Sequence, residues 1–152
     1  MNLFDDYLKE IKKRKQHGLG AKPIDNGDLA REIIEHVKSK SSKHHDQCVD
    51  FLIFNMLPGT TKAASEKAAF LKQIINNSYQ IKEISIDRAF ELLSHMKGGP
   101  SIQVLIDLAL SQDKKNSKKA AEVLKTQVFL YEADTSRLIS AYRDNNSIAE
   151  DI

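Results

Sequence analysis

An all-α fold is predicted, about eight helices in antiparallel pairs stacked as an α-solenoid of the HEAT type, an α-α superhelix. Three observations predict it. Apolar residues recur at helical spacing along almost the whole chain. No segment sustains period-two alternation with β-branched enrichment, so a sheet is not expected. Six glycines and three prolines in 152 residues leave room for long elements with short connections. No fixed repeat period is visible, so a related helical bundle stays open beside the solenoid.

The first helix carries Phe4, Tyr7, Leu8 and Ile11 on one face, with Asp5 and Asp6 near its positive end. It runs into Lys12-Lys13-Arg14-Lys15, where cations favour the negative end of the macrodipole, and stops near Gly18 and Gly20. Lys22-Pro23 is an extended entry, because a residue before proline is pushed out of the helical region. Asp25 is the expected cap of a second helix whose inward face is Leu29, Ala30, Ile33, Ile34 and Val37. After the polar loop Ser39–Lys43, a third helix from about His44 to Leu57 is apolar almost all round, which suits the middle of a helical array.

Pro58-Gly59 ends that helix, and Thr60 or Thr61 is expected to cap the fourth, with Ala64, Ala68, Leu71 and Ile75 on one stripe. Asn76-Asn77-Ser78 closes it, and Tyr79 to Ile84 reads as a connector. Two helices joined by Gly98-Gly99-Pro100 follow: Ile86, Ala89, Phe90, Leu93 and Met96 face inward on one, Ile102, Leu105, Ile106 and Ala109 on the other. Gly98 is expected to take the left-handed conformation that ends a helix, and Pro100 suits the next first turn. Beyond a loop at Asp113 to Asn116, Ser117 is the expected cap of a seventh helix with Ala120, Ala121, Leu124, Val128 and Tyr131 inward. An eighth carries Leu138, Ile139 and Tyr142. The helical domain is therefore read as residues 1–143, with 144–152 a polar tail or linker.

Composition is that of an ordinary globular domain: 41% apolar and 29% charged, with a net charge of +2. That charge is too small to point to a nucleic-acid or membrane partner, and no DNA partner is expected. No apolar run approaches the ~18 residues a membrane helix needs, and the N-terminus lacks the basic and apolar regions of a signal peptide. The single cysteine, Cys48, rules out an internal disulfide and fits a reducing cytosol, so a soluble cytoplasmic protein is expected.

Chemistry-bearing patterns are sparse. His44 and Cys48, four apart, would share a helix face as two metal ligands do, but two ligands do not make a site and no metal site is assigned. Ser94 and His95 are adjacent and therefore point to different faces; Gly98-Gly99 lacks the flanks of a phosphate loop. No catalytic or cofactor-binding residue is assigned. Two basic clusters remain, Lys12, Lys13, Arg14 and Lys15, and Lys114, Lys115, Lys118 and Lys119, a candidate RNA or phosphate patch if the fold brings them together. Solvated surface is the competing explanation, since no aromatic residue interleaves with the lysines.

Five strings occur in a telling order: Lys22-Pro23-Ile24-Asp25; Leu57-Pro58-Gly59; Lys67-Ala68-Ala69-Phe70-Leu71; Ala89-Phe90-Glu91-Leu92-Leu93 with Met96-Lys97-Gly98-Gly99; and Val104-Leu105-Ile106-Asp107. Together they resemble the N-terminal domain of bacterial aconitase B, over roughly Leu3 to Tyr142. The resemblance implies a non-catalytic HEAT-like domain of a hydro-lyase that interconverts citrate and isocitrate through cis-aconitate in the tricarboxylic acid cycle, often handling 2-methylisocitrate too. It implies that the [4Fe-4S] cluster, its cysteines and the catalytic residues lie in other domains, and that none belongs to this one. It implies as partners the remaining aconitase domains, a second copy by self-association, and messenger RNA. The alternatives are an independent RNA-binding module or a free-standing protein-interaction adaptor.

Overall fold

The computed structural model describes residues 2–127, 130–144 and 146–152. Nine α-helices lie among the described residues, which contain no strand, only isolated bridges between Ile24 and Met56 and between Ile81 and Ile84. The all-α expectation holds. The protein divides into two compact units, Met1–Leu57 with Thr61–Lys67, and Pro58–Thr60 with Ala68–Ile152.

The first unit holds α1 (Leu3–Gln16), α2 (Gly27–Lys38), α3 (His45–Asp50) and the opening residues of α4 (Lys62–Ile75). Its core is Phe4, Ile24, Ala30, Ile33, Val37, Cys48 and Leu52, all 1% exposed or less. Helix α1 starts at a cap from Asn2, and a second acceptor comes from α2: the Glu32 carboxylate takes the amide protons of Leu3 (3.3 Å) and Phe4 (2.8 Å). Tyr7 packs edge-on to Phe51 and donates its hydroxyl to the Lys22 carbonyl at 2.7 Å. Burial, helped by the charge of Glu10 and opposed by Arg14, pushes the Tyr7 phenol up.

Two expectations for this unit need correction. Asn26, not Asp25, caps α2, accepting from Asp28 and Leu29; the Asp25 carbonyl instead takes the Ala63 amide at 3.1 Å. The long third helix is α3 continued by a π-helical turn over Phe51–Asn55. A π turn closes one residue later than an α turn and swings the following residues round. Phe51 and Leu52 stay buried while Phe54 is 73% exposed, so the run is not buried all round.

The second unit holds the rest of α4 with α5 (Ile86–Met96), α6 (Gly99–Ala109), α7 (Lys114–Lys125), α8 (Glu132–Arg143) and α9 (Ser147–Asp151). Leu71, Ile75, Ala89, Leu93, Ile102, Leu105 and Ile106 are fully buried, the faces the helical spacing selects. At the elbow between α5 and α6 the left-handed residue is Lys97 (φ 48°), and Gly98 is extended (φ 162°). Gly99 takes φ 38°, a conformation that residues with a Cβ disfavour. The buried Ser101 hydroxyl donates to the Gly98 carbonyl at 2.8 Å and accepts its amide proton at 3.3 Å, closing the start of α6 on itself. The Gly59 amide donates to the Met96 carbonyl at 3.3 Å, so the Pro58–Thr60 turn lies against the elbow.

Helix α7 begins one turn earlier than Ser117 suggests. Asp113 caps it through the Asn116 amide, and Ser117 is buried inside the helix. The Asn116 carboxamide donates to the Ile75 carbonyl at 3.1 Å, satisfying an orphan carbonyl at the end of α4. Helix α7 ends at Lys125; Tyr131 stands at the N-cap of α8, and Val128 lies outside the described residues. Asp134 accepts the Tyr131 amide proton at 3.1 Å. Residues Ser147–Asp151, polar in sequence, form α9, capped by Asn146.

Candidate functional site

The sequence-predicted basic residues sit on two helices, one in each unit. Lys12, Lys13 and Lys15 are exposed on α1. Four consecutive helical positions are each turned by about 100°, so the run Lys12–Lys15 rings the helix instead of forming one face. The face that does form joins Lys13 to Lys9 and His17, four residues either side, around a shallow groove of about 520 Å³ that Glu10, Arg14 and Leu19 complete. The run of cations does not single out Lys9 or His17; i, i+4 spacing is the signal that finds them. Arg14 is committed to the loop that follows its helix, donating Nε to the Gly20 carbonyl at 2.8 Å.

On α7, Lys114, Lys115 and Lys118 are exposed, while Lys119 pairs with Asp87 of α5 and lies 5.7 Å over the Phe90 ring. Lys119 is therefore a packing residue of α5 and α7, and three lysines of that cluster face solvent. Their place at the positive end of a helix is unfavourable, and Asp113 offsets it.

His44 and Cys48 do different things. The His44 ring stands edge-on to Phe4 (5.1 Å) and to His36 (5.4 Å), and His36 lies 4.6 Å from Phe4. The Cys48 thiol is fully buried and burial pushes it up to about 12, which opposes the thiolate that a metal requires. A cubane cluster takes three or four thiolates. One buried cysteine does not fit the [4Fe-4S] group that the resemblance attaches to other domains.

One pair has no counterpart in the sequence patterns: His36 Nδ1 and Ser42 Oγ lie 2.8 Å apart, the length of a base–nucleophile hydrogen bond. Ser42 also accepts the His44 amide proton at 3.2 Å, and the His36 ring is packed on Phe4, so the pair ties the end of α2 to the start of α3. Six residues across a helix end carry no periodic signal, which is why spacing does not reveal it. Ser94 is likewise committed, donating to the Glu91 carbonyl at 2.6 Å.

The second unit has a charged node and an apolar groove. Asp107 on α6 accepts from Lys72 of α4 at 2.9 Å and Arg137 of α8 at 2.7 Å. Burial pushes its carboxyl up, but the hydrogen bonds and charges of Lys72 and Arg137 outweigh that and hold it below its usual range. Leu130, Leu138, Ile139, Tyr142, Ala149 and Ile152 line a groove of about 370 Å³ along α8 and α9. Ile139 and Tyr142 are 45% and 54% exposed there, more apolar surface than the α8 pattern implies. The node is satisfied internally and the groove is apolar; neither supplies a nucleophile with an oriented base.

Among known proteins, the family described as the aconitate B N-terminal domain matches residues 6–152. Aconitate hydratase B of Helicobacter pylori is 29% identical over 151 residues, 99% of this sequence and 17% of that protein. The Escherichia coli aconitate hydratase B is 28% identical over 130 residues, 86% of this sequence and 15% of its own length. That of Synechocystis is 28% identical over 127 residues, 84% and 14%. The chain thus spans about one-sixth of the length of these relatives. With nearly every residue inside the match, the chain belongs to the aconitate B N-terminal domain family.

Proposed function

We propose that the chain works as the non-catalytic N-terminal helical domain of an aconitate hydratase B-type hydro-lyase, docking on the remaining domains and shaping the path by which substrate reaches them. The observation that carries this reading is the family match over residues 6–152 in a chain that spans one-sixth of its relatives. Further support comes from His36, Ser42, Ser94 and Asp107, each committed to a structural hydrogen bond or an ion pair. The tricarboxylate chemistry and the [4Fe-4S] cluster then belong to the other five-sixths, where the cluster would supply the Lewis acid for dehydration. A HEAT-like stacking of the helices, work in the cytoplasm and contact with other protein surfaces are parts of the same reading.

The test uses the purified chain with and without the remainder of an aconitate hydratase B made separately. Alone, the chain is expected to bind no iron and to convert neither citrate nor isocitrate. Together, the two are expected to form a complex whose KM differs from that of the remainder by itself. Turnover by the chain alone, or indifference of the remainder to its addition, contradicts the proposal. RNA binding that falls steeply with salt and is lost when Lys12, Lys13, Arg14 and Lys15, or Lys114, Lys115, Lys118 and Lys119, are neutralised would support the RNA-binding alternative instead.

A further inference from the structure

We propose that Asn26-Gly27 is a fold-gated deamidation site, protected while α2 is capped and reactive when that turn opens. Glycine after asparagine is the least hindered setting for this reaction, because no Cβ keeps the Gly27 amide nitrogen from Asn26 Cγ. That nitrogen bonds to Asn26 Cγ and gives up its proton, the bond from Cγ to the carboxamide nitrogen breaks, and ammonia leaves. Water then opens the succinimide at either carbonyl, leaving aspartate or isoaspartate at position 26.

In the folded protein every requirement is withheld. Asn26 Oδ1 is held by the amides of Asp28 (2.8 Å) and Leu29 (3.1 Å). A ψ of 125° leaves the Gly27 nitrogen rotated away from the carboxamide, whereas the ring closes only where the two eclipse. The Asn26 carbonyl accepts from Ala30 at 3.0 Å and the Asp25 carbonyl from Ala63 at 3.1 Å, so neighbouring peptide units are pinned as well. Gly27 is buried, with Lys62 Cβ 3.1 Å from where its own Cβ would stand. The two products differ in consequence. Aspartate still caps α2, while isoaspartate lengthens the backbone by a methylene and removes the cap, so one opening event can leave a lasting mark on the first unit.

The protein is incubated at mildly alkaline pH in heavy-oxygen water, folded and in urea, and the peptide spanning residues 23–31 is followed by mass. Deamidation at residue 26 is expected to be ~10-fold or more slower in the folded protein, because only the open fraction reacts. Ile33→Ala, which loosens α2 without touching the site, is expected to speed it in step with amide exchange at Asp28 and Leu29. Should that variant fail to fold, sub-denaturing urea on the unaltered protein performs the same opening. Equal rates in folded and unfolded protein overturn the gating, as does faster amide exchange without faster deamidation. Absence of label at residue 26 in urea overturns the site itself.

Discussion

The two adjacent glycines of the α5–α6 elbow look equivalent in sequence and are not equivalent in the fold. Gly99 has φ 38°, where an L residue costs about 1–2 kcal/mol, and a Cβ there would stand 3.0 Å from the Thr60 methyl. The crowding adds about 1 kcal/mol, so Gly99→Ala is expected to destabilise by about 2–3 kcal/mol. Gly98 is extended at φ 162°, and its Cβ would meet nothing nearer than Gly59 Cα at 3.7 Å. Gly98→Ala is therefore expected within about 0.5 kcal/mol of the unaltered protein, the lost backbone freedom of the unfolded state offsetting small adjustments. Urea unfolding followed by far-ultraviolet circular dichroism reads the difference as a midpoint shift at constant slope. Thr60→Ser removes the methyl, so combining it with Gly99→Ala should recover about 1 kcal/mol, leaving only the conformational cost. Equal costs at the two glycines, or no recovery with Thr60→Ser, would refute the reasoning.

Two further outcomes are expected. Asp107→Asn should cost about 1 kcal/mol at neutral pH, a figure kept small because the carboxylate is 36% exposed and solvent screens both ion pairs. Its folded pKa lies below the unfolded value, so this stability is present above about pH 4 and is lost as pH falls through the folded value. The gap between the two proteins should close in acid and shrink with salt; a gap constant across pH contradicts the assignment. The Cys48 thiol, pushed up to about 12 by burial, should resist alkylation at pH 8 in the folded protein and react only as the first unit unfolds, so labelling that runs ahead of unfolding would refute its burial.

Most of the fold is legible in the sequence because helical periodicity selects the same faces that packing buries. Ile33, Val37, Leu71, Leu93 and Leu105 fall on the inward stripes and are fully or nearly fully buried. What spacing misses is decided by competition among neighbours. Asp25, Asn26, Asp113 and Ser117 are all competent caps, and only the packing of the flanking turn chooses between them. The π turn at Phe51–Asn55 leaves no mark on an apolar run, because a shift of one hydrogen bond changes which residue faces out without changing composition. The charged node is illegible for another reason: Asp107 lies about thirty residues or more from both Lys72 and Arg137, and no local pattern joins them.

The strings that carry the family resemblance share a physical property that explains why they point to a family without pointing to a reaction. Ile24 exchanges backbone hydrogen bonds with Asn55 and Leu57, and Gly59 meets Met96, so these strings include places where backbone must approach backbone. Lys67 is buried and donates to the Ile53 carbonyl at 3.3 Å, while Phe90 and Leu93 fill core. Asp107, the acidic end of the last string, is held by two cations. Each string thus contains residues committed to holding helices at fixed places. Surface open to outside contact includes the lysines of α1 and α7 and the apolar groove of α8 and α9. Substitutions in the strings should therefore act on stability and those on the surface on association, a separation that unfolding and binding measurements on the same variants resolve directly.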